Sequence, residues 1–116
     1  MQSLEQSLGT RATFLLPSLK LKGSTAEEGS NVEQSVHRFL LARFDGYTAT
    51  ASNLFGYWKD RAGNDSYGEH RQFSVALTDE AKLPELKKYL SRLASEMDEE
   101  CIYLETGGSA SLIYRE

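Results

Sequence analysis

His70 is the residue best suited to move a proton at neutral pH, because an unperturbed imidazole titrates at about 6.5. It sits in a strand-like run, residues 69–77, whose alternation places Phe73, Val75 and Leu77 on one face and His70, Gln72, Ser74 and Ala76 on the other. A histidine base needs an orienting carboxylate. Glu69 points to the opposite face of its own strand, so Glu105, on a later strand-like run with Cys101 and Tyr103, is the carboxylate that can share the His70 face. One histidine without a placed partner is more simply a surface residue, and no catalytic residue is assigned on this basis. Cys101 follows Asp98, Glu99 and Glu100, whose charges disfavour a thiolate, so it reads as inert rather than nucleophilic. His70, Cys101 and Glu105 lack the CxxC or HExxH spacing of a metal site, and neither a metal nor a cofactor is expected. Gly107-Gly108-Ser109 has no strand-to-helix phosphate-loop context and reads as a tight turn.

Aromatic side chains supply a different chemistry. Tyr47, Phe55, Tyr57, Trp58 and Tyr67 could stack on a planar ligand or anchor a partner, although strict alternation turns about half of such residues into a core. The binding residues expected from alternation and chemistry together are Trp58, His70, Gln72, Tyr103 and Glu105.

Composition limits the partners. The 116 residues, 40% hydrophobic, suffice for one domain with its own core, and the net charge of -4 offers no general attraction to a polyanion. Basic residues are dispersed, so nucleic acid is not an expected partner. The single cysteine excludes an intramolecular disulfide and favours a reducing cytoplasmic setting. No apolar run has the length of a membrane span, and the N-terminus lacks the pattern of a signal peptide.

Two helices and several strands must position these groups. Residues 1–9 form a polar arm with isolated leucines, and residues 10–116 form one domain. Residues 10–21 read as a strand, which Pro17 should confine to a sheet edge or a bulge because it cannot donate a ladder hydrogen bond. Ser30-Asn31-Val32-Glu33 has the form of a capping box, and Val32, Val36, Phe39, Leu40 and Phe44 then make one helical stripe that ends at Asp45-Gly46. Residues 47–58 read as a strand weakened at Gly56, and residues 60–68 as a protruding loop. After the returning strand, Thr78-Asp79 should cap a second helix carrying Leu83, Leu86, Leu90, Leu93 and Met97, with Pro84 in its first turn. Asp98, Glu99 and Glu100 oppose the helix dipole, so they should leave the helix or face basic groups. Residues 101–105 and 109–114 form a closing hairpin about Gly107-Gly108.

The resulting order predicts an α+β, ferredoxin-like βαββαβ sandwich with two helices on one face of an antiparallel sheet and an extra C-terminal hairpin strand. Gly46-Tyr47-Thr48, Gly56-Tyr57-Trp58, Gly63 and Glu69 resemble bacterial ferredoxin-like families of unknown function. The resemblance covers the middle of the chain and implies a fold rather than an activity. The open sheet face suggests a non-enzymatic domain that forms a homo-oligomer, in the simplest case a dimer, or binds a protein partner. A small-molecule binder or enzyme with a pocket between that face and residues 60–68 is the competing expectation.

Overall fold

The computed structural model describes residues 4–25 and 29–116; residues 1–3 of the expected arm and 26–28 of the expected polar loop lie outside them. The elements are β1 (Thr10–Pro17), a 3-10 turn (Ser18–Lys20), α1 (Val32–Phe44), β2 (Thr48–Ala49), β3 (Leu54–Lys59), β4 (Asp65–Leu77), α2 (Lys82–Glu96), β5 (Cys101–Thr106) and β6 (Ser109–Tyr114). All strand pairs are antiparallel, in the order β2-β4-β1-β5-β6, with β3 following β2 along the outer edge of β4. This is the ferredoxin-like α+β arrangement, extended by β6.

The helical and strand periods meet in one core. Val32, Val36, Leu40 and Phe44 of α1, Leu86, Leu90 and Leu93 of α2, and Met97 just after it cover Ala12, Phe14, Leu16, Phe73, Val75, Leu77, Ile102 and Leu104 of the sheet. Phe39 stacks on Tyr89 with ring centroids 3.7 Å apart, joining the two helices. No helix among the described residues is long and apolar enough to cross a membrane.

The helix ends differ in detail from the sequence expectation. The capping box of α1 lies one residue later, with Asn31 Oδ1 accepting from the Gln34 N–H at 2.8 Å and Gln34 Oε1 accepting from the Asn31 N–H at 3.0 Å. Glu33 is engaged instead by Lys22 and Arg71, whose hydrogen bonds hold its carboxyl below the usual range. At α2 the cap position is Ala81, which has no side-chain cap; Asp79 Oδ1 accepts from the Ala81 N–H just before it. The acidic run after α2 does both things expected of it. Asp98 leaves the helix at φ 55°, and Asp98, Glu99 and Glu100 pair with Arg115, Lys20 and Arg61. Gly107 and Gly108, at φ 56° and 84°, make the tight turn between β5 and β6.

Three expectations are corrected. First, β1 is not an edge strand: β4 flanks it on one side and β5 on the other. Pro17 is tolerated because it closes the strand, facing His70 at a point where pairing with β5 has already ended. Second, residues 47–58 are not one strand but two, β2 and β3, separated at residues 50–53. There Thr50 folds its hydroxyl onto the Gln72 N–H at 3.0 Å, and its carbonyl accepts from Arg71 Nε at 2.8 Å. Third, residues 60–68 are not a loop. The turn between β3 and β4 is short, closed by the Asp60 N–H on the Asn64 carbonyl at 2.9 Å, and β4 begins at Asp65.

Candidate functional site

Because β1 stops at Pro17 while β4 runs on to Asp65, the far half of β4 pairs with β3 alone. The β3–β4 hairpin therefore overhangs the body of the domain. Its ladder matches Leu54 with His70, Phe55 with Glu69, Gly56 with Gly68, Tyr57 with Tyr67 and Trp58 with Ser66. Alternation then gives two surfaces. Leu54, Trp58, Gly68 and His70 continue the open sheet face; Phe55, Tyr57, Tyr67 and Glu69 continue the helix-covered face beyond the point where helices cover it.

On the open side, Trp58 and His70 meet edge to face at 5.7 Å between ring centroids. The indole lies across Gly68, where an added Cβ would come within 2.6 Å of both rings, so this close approach requires glycine. Burial lowers the His70 pKa. The folded state thus favours neutral imidazole, and its contribution is fully present above the ordinary value of 6.5 and lost as pH falls below it. His70→Gln is expected to flatten the acid side of the stability profile, read as a smaller change in urea midpoint across pH 6.5 than in the unaltered chain.

Gln72 is the next residue on this face. Further across, the Tyr103 hydroxyl donates to Glu105 Oε1 at 2.6 Å, which raises the phenol's pKa. Glu105 stands opposite Thr13, and Thr13 opposite Ser74, with 2.9 Å between the two hydroxyls. His70 and Glu105 are not brought together. The register sets them four residues apart along the strands and two strands apart across the sheet, and the carboxylate whose charge reaches His70 is Glu99. The histidine–carboxylate base considered from sequence does not form. Burial, and then Glu100 and Glu99, raise the Cys101 pKa, so its thiol is not activated. Among the described residues no group of three or more His, Cys, Asp or Glu could hold a metal ion. A shallow cleft of about 320 Å³ lies beside α1, lined by Glu33, Gln34, His37, Arg38 and Tyr47, and contains none of the expected binding residues.

The other side of the hairpin carries the more unusual surface. Phe55, Tyr57 and Tyr67 are 68%, 78% and 49% exposed, yet they touch one another, with centroids 6.2 Å apart for Phe55–Tyr67 and 5.1 Å for Tyr57–Tyr67. Glu69, half-buried at the base of this row, faces Phe55 across the ladder. Partial burial and the Glu69 charge raise the Tyr67 pKa. Three ring faces beside one carboxylate suit an organic cation, since the rings attract positive charge through their quadrupoles and the carboxylate through its charge. Alternation reveals the shared parity of these four residues, but it also predicts that one face of the strand is core. Only the overhang leaves that face uncovered. Tyr47, from the same aromatic group, does pack inward, 6.1 Å from Phe73, with its hydroxyl 2.8 Å from His37 Nδ1.

No family model and no curated protein matches the sequence. Two solved structures share the fold over its whole length. A phage SAM lyase in complex with S-methyl-5′-thioadenosine superposes with a TM-score of 0.58 at 13% identity, covering 99% of this chain and 98% of that one. A phage SAM lyase in the apo state gives 0.56 at 14% identity, covering 98% of each chain.

Proposed function

We propose that this chain binds S-adenosylmethionine and acts on it as a lyase, releasing S-methyl-5′-thioadenosine, with Phe55, Tyr57, Tyr67 and Glu69 receiving the sulfonium end. The observation that carries this reading is the exposed aromatic row with its adjacent carboxylate, on a chain that matches a SAM lyase from end to end. A sulfonium is a permanent cation with an apolar periphery and no N–H donors, so ring faces satisfy it at a lower desolvation cost than an ammonium carries. The chemistry asks little of acid–base groups. Breaking the bond from sulfur to the aminobutyrate chain returns the electron pair to sulfur, which leaves as a neutral thioether. The substrate's own carboxylate can close on the vacated carbon to give a lactone, so the two opposite charges cancel and no proton moves. The separation of His70 from Glu105 is therefore no obstacle to this reaction. Rings and Glu69 bind the ground-state cation, and because that charge disappears in the reaction, rate must come from holding the carboxylate in line and from excluding water. Incubation with S-adenosylmethionine is expected to yield S-methyl-5′-thioadenosine, identified by chromatography and mass; no product together with no calorimetric binding of either compound overturns the reading.

A second reading is self-association without catalysis, through the open sheet face and the outer edge of β3. It is favoured by the apolar, uncapped character of that edge, Leu54 to Trp58, and by exposed Leu112 and Tyr114 on the open face. Light scattering on a concentration series tests it, and a strict monomer at every concentration removes it.

A further inference from the structure

The overhanging hairpin has few ties to the domain. Lys59 pairs with Asp65, Asp60 with Asn64, Tyr57 with Tyr67 and Trp58 with His70, all within β3–β4 and its turn. Among the described residues, the polar and ring contacts that leave residues 54–66 for another element run through Arg61. Its guanidinium lies 4.4 Å from the Tyr114 ring centroid, near the end of β6, and its Nε is 2.5 Å from Glu100 Oε1, just before β5. The hairpin turn is thereby held against the opposite edge of the sheet, which lies beyond β1 and β5 from β3.

We infer that Arg61 is a positioning residue: it latches the β3–β4 hairpin to Glu100 and Tyr114 and so fixes the orientation of the aromatic row for its ligand. The inference about ligand rests on the reading proposed above; the latch itself does not. A two-stranded ribbon paired on one edge only is marginally stable on its own and flexes about its root. A cation stacked on one ring and paired with one carboxylate fixes the tip at two points of different chemistry, which resists both twist and lift. Both contacts are exposed, with Arg61 at 70% and Glu100 at 49%, so the latch is weak and reversible. That suits a segment that must admit and release a ligand. Salt screens the ion pair while leaving the stacking contact largely in place.

The test uses the whole chain and two separable readouts. The first is hydrogen–deuterium exchange of residues 54–66 without ligand. Arg61→Ala is expected to raise exchange there about three- to ten-fold while α2 and β1 stay protected, with Arg61→Lys giving partial rescue. Glu100→Gln and Tyr114→Leu should each give a smaller rise in the same segment. The second readout is affinity for S-adenosylmethionine by calorimetry, expected to fall by a similar factor in Arg61→Ala. Unchanged exchange in the Arg61→Ala hairpin overturns the latch. Faster exchange with unaltered affinity, in a chain that does bind, overturns the positioning role. Faster exchange in a chain that binds neither S-adenosylmethionine nor its thioether product leaves the latch standing and removes the ligand reading instead.

Discussion

Replacing Tyr57 and Tyr67 together by alanine is expected to weaken binding of S-adenosylmethionine by up to about 30-fold, since each ring facing a cation at an exposed site contributes up to about 1 kcal/mol. The rings are 78% and 49% exposed and touch mainly each other and Phe55, so their removal opens no core cavity and the urea midpoint should hardly move. The discriminating comparison is with S-methyl-5′-thioadenosine. That product keeps the adenosine and the sulfur but not the charge, so the double variant should lose much less affinity for it. Equal losses for the two compounds would mean that the rings serve only as apolar surface, and no loss for either would move the ligand away from this side of the hairpin. Glu69→Gln sharpens the same contrast, because it keeps the shape of the side chain and removes its attraction for a cation.

Phe14→Ala is expected to produce the largest loss of stability, about 3–5 kcal/mol, read as a lowered urea midpoint with little change in slope. Phe14 is fully buried in the middle of β1, directly opposite both Phe73 and Leu104, and its ring lies 5.6 Å from that of Phe73. Removing it empties the point where β4, β1 and β5 share one layer under the helices. A domain of this size is stabilised by about 5–15 kcal/mol in total, so much of the margin would go. Phe55→Ala makes the control. The same residue type at 68% exposure should cost well under 1 kcal/mol, and a large effect there would show that the hairpin surface is covered in solution.

Local chemistry makes much of the fold legible in the chain alone. The helical stripes of Val32 to Phe44 and Leu86 to Met97, the alternation of Phe73, Val75 and Leu77, and the Gly107-Gly108 turn all follow from period or from a positive φ. The misfit of Asp98, Glu99 and Glu100 with a helix end also points correctly to a departing chain and basic neighbours, though not to Lys20, Arg61 and Arg115. The sequence thus determined where both helices and the core-facing strand segments form and which of their faces are apolar, because those properties depend on residues a few positions apart, but not the break at residues 50–53 or the reach of β4 back to Asp65. Tertiary structure alone decided which strand is central. Pro17 reads as an edge signal, but long-range pairing lets it end a central strand, and that ending leaves the β3–β4 hairpin without a neighbour on its inner side. The register separates His70 from Glu105, and the early end of β1 leaves Phe55, Tyr57 and Tyr67 exposed on a face that nearer the core is covered by the helices. Whether a face is covered depends on how far its neighbours extend, and register between segments distant in the chain sets that distance.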